Sequence, residues 1–336
     1  MRALILRSAQ GLDGARLEEV PATTPVEGEV CVALKAAALN HRELWIARGQ
    51  YPGMTLPAIL GADGAGVIAA VGPGVDPGRV GEAVLLYPGL RWGADPAYPA
   101  ATFGLLGMPG PGTIAQSVCV PADIAVPLPP HLDFAQAAAL PLAGLTAWRG
   151  LVTKAGLRAG EKLLVTGVGG GVATFALLFG VAMGAEVFVT SGSDATLEKA
   201  TALGARAGFN YRHENWRKAL AKQSGGIDVV FDGAPAASYP QYARALAMGA
   251  RVVLYGSTGG TDFSVNAPEL FLKNLRLIGT NVGNPAEFAA MVAFVAQRGL
   301  KPAIDCRFPL SAAVEALAHL ERGHGFGKII IDIEGT

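Results

Sequence analysis

The sequence predicts an α/β fold in two parts, a β-rich domain and a domain built on a doubly wound parallel sheet. Three observations predict it. Residues 163–185, LLVTGVGGGVATFALLFGVAMGA, carry no ionisable side chain between Lys162 and Glu186, and read as strand, glycine turn and helix. From about 135 to 285, the short apolar runs KLLVTG, AEVFVTS, AGFNY, DVVFDG, RVVLYGS and LRLIGTN alternate with helical stretches such as ATLEKATALGA. Before residue 122, by contrast, β-like runs follow one another with only glycine and proline clusters between them.

Taken in order, the first domain spans residues 1–122, with strands in VCVALKAAAL, GAGVIAAVGPGV, VGEAVLLYP and AQSVCVP and a long Gly/Pro/Ala-rich loop over residues 90–111. Residues 123–285 make the parallel-sheet domain. Its signature segment begins with Leu163 to Thr166, four residues suited to a buried parallel strand, and continues through GVGGGV into a helix over residues 173–182. A glycine turn lets the backbone approach a pyrophosphate, and the helix N-terminus offers free N–H groups to phosphate oxygens, so the unit reads as dinucleotide-binding. The run is long enough to cross a bilayer, but three consecutive glycines at mid-span, each costing about 1 kcal/mol against Ala in a helix, argue against a membrane span. Residues 286–336 return to mixed structure: a helix at PAEFAAMVAFVAQRG, a strand near Ile304, a helix at SAAVEALAHLERG and a last strand KIIIDI.

With 336 residues, 51% hydrophobic content and a formal net charge of zero, the chain can bury a large core and is not suited to nucleic acid or a membrane surface. Cys31, Cys119 and Cys306 are far apart in sequence and read as core residues in a reducing compartment. MRALILRSAQG reads as a first strand and not as a signal peptide, so a cytoplasmic location is expected.

The succession ALNHRELWIARGQYP, LGADGAGVIAAVGPGV, GTIAQSVCVP, ALPLAGLTAWRGL, VTGVGGGVA, DVVFDG and GFGKIII resembles the medium-chain dehydrogenase/reductase superfamily over nearly the whole chain. The resemblance implies a GroES-like catalytic domain from residues 1–122, completed by 286–336, with a Rossmann NADP-binding domain between them. Zinc-dependent members place metal ligands at positions that here read Asn40, Ala62 and Leu142. None of the three can bind zinc as Cys, His or a carboxylate would. The lobe that would carry a structural zinc, residues 92–111, has no Cys. His41 and Asp63 are too few to hold a metal alone, and no bound metal is expected.

A zinc-free member lacks the Lewis acid that stabilises an alkoxide, whereas reducing a quinone or an activated C=C needs mainly hydride placement and hydrogen bonds to a developing oxyanion. LNHRELWIARGQYP is similar to the quinone oxidoreductase-like branch at Asn40, Arg48, Gly49, Tyr51 and Pro52, with Glu43 where an Asp is usual. By that resemblance Asn40 and Tyr51 are the catalytic candidates beside the nicotinamide, and Thr146 contacts the nicotinamide side of the cofactor.

The cofactor turn fits the register G-x-x-G-G-V-G better than G-x-G-x-x-G, through Gly167, Gly170, Gly171 and Val172, with Ala173 as the last small residue. After AEVFVT come Ser191, Gly192 and Ser193, with no carboxylate before Asp194. An acid there would repel a 2′-phosphate; hydroxyls on Ser191 and Ser193 and a cation on Lys199 or Arg212 suit one, so NADPH is expected. Tyr211 resembles a residue packed near that phosphate, and Lys328 occupies a place where relatives put a base on the pyrophosphate. Gly256 completes the cofactor set. The expected activity is NADPH-dependent hydride transfer to a quinone or to an enone or enal. The alternatives are a 2-enoyl thioester reductase and a non-catalytic NADPH-binding protein. Residues 274–283, NLRLIGTNVG, read as an apolar outermost strand that pairs two subunits into a homodimer.

Overall fold

A computed structural model describes residues 1–323 and 325–333. The chain divides into two compact units, Met1–Leu145 with the segment from Gly283, and Thr146–Val282.

The first unit contains β1 (Arg2–Leu6), β2 (Ala15–Glu19), β3 (Glu29–Ala38), α1 (His41–Ala47), β4 (Ala58–Ile59), β5 (Asp63–Val71), β6 (Ala83–Leu86), β7 (Gly89–Leu90), β8 (Gly104–Leu105), β9 (Ser117–Pro121), β10 (Ala125–Pro127) and α2 (Phe134–Ala139). α3 (Pro141–Trp148) carries the chain into the second unit. There follow β11 (Lys162–Val165), α4 (Gly171–Ala182), β12 (Glu186–Ser191), α5 (Asp194–Ala202), β13 (Ala207–Asn210), α6 (Trp216–Ser224), β14 (Ile227–Asp232), α7 (Pro235–Tyr242), β15 (Leu246–Leu254), α8 (Ala267–Leu272) and β16 (Arg276–Gly279). α9 (Pro285–Arg298), β17 (Ile304–Pro309), α10 (Ala313–Arg322) and β18 (Lys328–Asp332) return to the first unit.

The second unit is the expected parallel sheet, in the order β13-β12-β11-β14-β15-β16, and all six apolar runs read from the sequence are its strands. β11, β12 and β14 are buried along almost their whole length, as strands covered on both faces must be. β16 is the outermost strand, with Leu275 buried just before it and Leu277 and Ile278 half-buried within it. The helix after the glycine turn starts at Gly171, two residues earlier than expected.

In the first unit a mixed sheet runs β10-β6-β5-β3-β18-β17, with β9 also pairing with β3, beside a smaller sheet β2-β1-β4. The boundary expected at residue 123 lies later. Residues 125–127 pair with β6, and α2 packs on β3, β5 and β18, because its alanine-rich turns let the helix lie close to the sheet. Cys31 and Cys119, remote in sequence, stand opposite each other on β3 and β9.

The centre of the first unit is set by register. β18 runs antiparallel to β3 with Ile330 opposite Ala38, which carries Lys328 to the level of Asn40. On the other flank of β3, Asp63 at the head of β5 stands opposite Ala38. Three polar residues from distant parts of the sequence therefore meet at one end of the sheet.

Candidate active site

Asp63 is completely buried, and its carboxylate accepts three hydrogen bonds: from Leu142 N at the start of α3 (2.8 Å), from Asn40 Nδ2 (2.9 Å) and from Lys328 Nζ (2.9 Å). The Lys328 side chain is 2% exposed, and its ammonium also donates to Leu39 O (2.7 Å) and Asn40 Oδ1 (2.6 Å). An ammonium has three donors, and all three are used. A buried ion pair persists when each partner is also hydrogen-bonded in this way; alone, either charge would be strongly disfavoured.

Two expectations change in consequence. Lys328 has no donor left for a pyrophosphate, and its role is internal. Asn40 is held on both sides of its amide, Oδ1 by Lys328 and Nδ2 by Asp63, which fixes its orientation and leaves one N–H of Nδ2 outside the Asp63 bond.

The next residues extend this network. Glu43 is buried and accepts from Asn40 N (2.6 Å), tying the first turn of α1 to its own start. Burial drives the Glu43 carboxyl up and Asp63 adds to this, against Arg42, the Asn40 N–H and Lys328. The Arg42 guanidinium, buried, donates to Leu106 O (2.8 Å) and Met108 O (3.1 Å) and lies over the half-buried Tyr51 ring, 4.9 Å from its centre. Tyr51 thus shares Arg42 with the Asn40 segment, which brings the two catalytic candidates into one neighbourhood. Arg48 lies on the surface and pairs with Glu321 (2.7 Å). His41 is exposed, yet loss of surrounding water, with the cations Lys328 and Arg48 adding, holds its imidazolium below the ordinary range.

In the second unit, the glycine turn leaves β11 through Thr166. Gly167 (φ 59°) and Gly169 (φ 135°) adopt the conformations that side chains resist, whereas Gly170 (φ −68°) does not. The backbone demand therefore falls on the first two glycines of G-x-G-x-x-G, although the other register matches better as a sequence. A Cβ on Gly167 or Gly170 would meet nothing within 4 Å, so that side of the turn is open. The first bond within the helix runs from Thr174 N to Gly170 O (2.9 Å), which leaves the N–H groups of Gly171, Val172 and Ala173 for an anion.

Both flanks of the turn are anchored. Thr190 Oγ1 accepts from Gly167 N (3.1 Å), and Thr166 Oγ1 donates to Asp232 Oδ1 (2.7 Å) at the end of β14. Asp232 is completely buried and also accepts from Ala234 N (2.9 Å), Ser238 Oγ (2.5 Å) and Tyr242 Oη (2.8 Å). Sequence reading passed over Asp232 and Thr166. The signal was present as an acid closing the apolar run DVVFD, where only a fully hydrogen-bonded carboxylate survives burial.

At the end of β12, Ser191, Ser193 and Tyr211 come together. Ser191 Oγ accepts from Ser193 N (3.3 Å), Ser193 Oγ caps α5 by accepting from Thr196 N (3.4 Å), and the Tyr211 ring covers Gly192, where a Cβ would lie 2.7 Å from its hydroxyl. Asp194 is turned to Asn210, accepting from Nδ2 (2.8 Å). Lys199 is exposed on α5 and Arg212 is exposed just beyond β13. Gly256 follows β15, where a Cβ would stand 3.0 Å from Gly233 O, and Thr146 is buried in α3.

Residues 26–130 match the family model described as the alcohol dehydrogenase GroES-like domain, and residues 171–297 match that of a zinc-binding dehydrogenase. The chain is 37% identical to "Zinc-type alcohol dehydrogenase-like protein YogA" of Leptosphaeria maculans, over 95% of this chain and 94% of that protein. It is 28% identical to a mouse quinone oxidoreductase, over 98% of this chain and 96% of the other. A solved structure named an NAD-dependent alcohol dehydrogenase superposes with a TM-score of 0.94 at 35% identity, covering 99% of this chain and 100% of that one. The zinc implied by such names does not fit the residues at this centre. Asn40, Ala62 and Leu142 offer no ligand set, and the cation at this centre is the Lys328 ammonium. A nicotinamide cofactor does fit, at the open glycine turn and the free N–H groups of α4. The chain is an oxidoreductase belonging to the medium-chain dehydrogenase/reductase superfamily.

Proposed function

We propose that this chain is an NADPH-dependent, zinc-independent reductase that delivers hydride to a quinone or to the activated C=C bond of an enone or enal, and that it works as a cytoplasmic homodimer. The observation that carries this reading is the polar centre of the first unit, where Lys328 and Asp63 neutralise each other and Asn40 is held between them. A site without a Lewis acid suits acceptors whose developing charge needs only hydrogen bonds.

Bound NADPH supplies the hydride. The first N–H groups of α4 receive its pyrophosphate on a turn held by Thr166 and Thr190. Ser191, Ser193 and Tyr211 offer hydroxyls to a 2′-phosphate, with Lys199 and Arg212 as the nearby cations of the sequence reading, while Asp194 is engaged by Asn210. Asn40, oriented by Lys328 and Asp63, presents its remaining amide N–H to the oxygen that gains charge, and the Tyr51 hydroxyl shares that task.

The homodimer reading rests on β16 as an outermost strand with half-buried apolar residues, a surface that a two-fold axis satisfies. No helix among the described residues is long and apolar enough to cross a membrane.

The test is loss of NADPH absorbance with 1,4-quinones, enones, enals and enoyl thioesters. Turnover with the first three supports the reading, a strong preference for thioesters moves the substrate class, and no turnover with any of them overturns it. Cofactor choice is tested by Ser191→Asp, which is expected to reverse a preference for NADPH over NADH through repulsion of the 2′-phosphate. Equal affinity of the parent protein for the two cofactors would overturn that part.

A further inference from the structure

β17 departs from regular pairing at one point. Ile304 stands opposite Lys328 and Cys306 opposite Ile329, so Asp305 is an extra residue bulged out of the ladder. On a regular strand Asp305 and Cys306 would point to opposite faces; a bulge re-aims one of them. Here both converge on His319 of α10. His319 Nε2 lies 3.2 Å from Asp305 Oδ2, and Cys306 Sγ lies 3.6 Å from the same oxygen. The three atoms are all within 4.8 Å of one another, and no other such cluster of His, Cys and acidic side chains occurs among the described residues.

Ligand atoms bound tetrahedrally to zinc at about 2.0–2.3 Å stand roughly 3.3–3.8 Å apart, and the 3.2 and 3.6 Å of these two pairs are close to that spacing. The other oxygen of Asp305 is fixed by Phe326 N (2.9 Å), and the His319 ring rests on Phe308, with ring centres 5.7 Å apart. Gly325 keeps the space open, since a Cβ there would lie on Asp305 Oδ2. The His319 side chain is 32% exposed and that of Asp305 16%, which leaves room for a water as fourth ligand.

We propose that Asp305 Oδ2, Cys306 Sγ and His319 Nε2 form a binding site for a divalent transition-metal ion, zinc foremost, with water completing the tetrahedron. The mixed sulfur, nitrogen and oxygen donor set suits zinc over magnesium or calcium. This departs from the absence of metal expected from the sequence, where the three residues are not singled out together. A cysteine binds zinc as the thiolate, whatever its state before the ion arrives. Binding to the thiol exchanges its S–H bond for a metal–sulfur bond and releases one proton to solvent. The ion ties the β17 bulge to α10, a structural task separate from hydride transfer.

The test uses the full chain after chelation, titrated with zinc by calorimetry and with cobalt by absorption. One equivalent is expected to bind with micromolar or tighter affinity, to release a proton, to raise the thermal midpoint, and with cobalt to give a thiolate-to-metal charge-transfer band. Cys306→Ser should abolish the band, and His319→Gln should weaken zinc by about tenfold or more. Cys31→Ser and Cys119→Ser, which alter the other two thiols, should change neither. If Cys306→Ser fails to fold, the cobalt band and the His319→Gln titration on folded protein decide. No saturable binding, or binding indifferent to both triad variants, overturns the proposal. Turnover with NADPH should be the same with and without the ion, so failure here and failure of the proposed activity are read separately.

Discussion

Asp63 and Asp232 are both completely buried carboxylates, one in each unit, and they are satisfied in different ways. Asp63 has one ammonium, one side-chain amide and one backbone N–H around it. Asp232 has a backbone N–H and three hydroxyls, from Thr166, Ser238 and Tyr242, and no cation among its hydrogen-bond donors. Neutral dipoles around Asp232 spread its stabilisation over four contacts, so no single one carries the whole of it. Around Asp63 one partner carries the countercharge. The second centre is a stable anchor for a turn, whereas the first is a charge balance that holds Asn40 in one orientation.

That contrast breaks most visibly at Lys328. Lys328→Met leaves the Asp63 carboxylate buried with no countercharge, and a loss of about 3–5 kcal/mol in urea unfolding is expected. Adding Asp63→Asn should recover most of it, because the pair is then neutral. Additive losses in the double variant would show that the two charges do not depend on each other.

At Asp232 the effects should be smaller. Tyr242→Phe removes one of four donors to a buried carboxylate and should cost about 1.5–3 kcal/mol. Burial, with the Asp232 charge next, holds the Tyr242 hydroxyl well above its ordinary range, which keeps it a donor at neutral pH. Thr166→Val removes a similar bond next to Gly167 and should also weaken NADPH by roughly tenfold, about 1.4 kcal/mol, measured by fluorescence titration. A Tyr242→Phe loss as large as that of Lys328→Met would remove the distinction between the centres.

The smallest effect concerns His41. Its pKa in the folded chain lies below the ordinary value of about 6.5, so as pH falls through that value the unfolded chain takes up a proton first. Its contribution to stability is therefore complete above about pH 6.5 and declines as pH falls toward the folded value. NMR titration of the imidazole should give a midpoint below the ordinary one, and His41→Gln should flatten the stability profile in that window. A midpoint above 6.5 would show that neither the loss of water nor the cations Lys328 and Arg48 govern this imidazole.

The parallel sheet was legible because its central strands β11, β12 and β14 are the short apolar runs that burial on both faces requires. The glycine turn was legible as a turn, but the choice of register was not: counting glycines favoured Gly170 and Gly171, while φ shows the demand at Gly167 and Gly169. Asn40 and Tyr51 are candidates through the likeness of their segment. Lys328 reads from the sequence as a base on the pyrophosphate, and its place beside Asn40 is visible only once the pairing of β18 with β3 sets it at that level. Asp305, Cys306 and His319 were hidden for a related reason, since only a bulge, which leaves no clear mark in sequence, aims neighbouring strand residues at one point. The domain boundary moved because α2, an alanine-rich helix compatible with either unit by composition, packs on the first sheet.

If the Lys328 ammonium stands beside Asn40 and Asp63 where relatives use zinc, hydride transfer should need no metal. The most direct measurement is the rate of NADPH-dependent reduction of a good quinone or enone acceptor before and after exhaustive chelation, with metal content followed in the same sample. The rate should be unchanged when no metal remains. A rate abolished by chelation and restored by one equivalent of zinc would contradict the account.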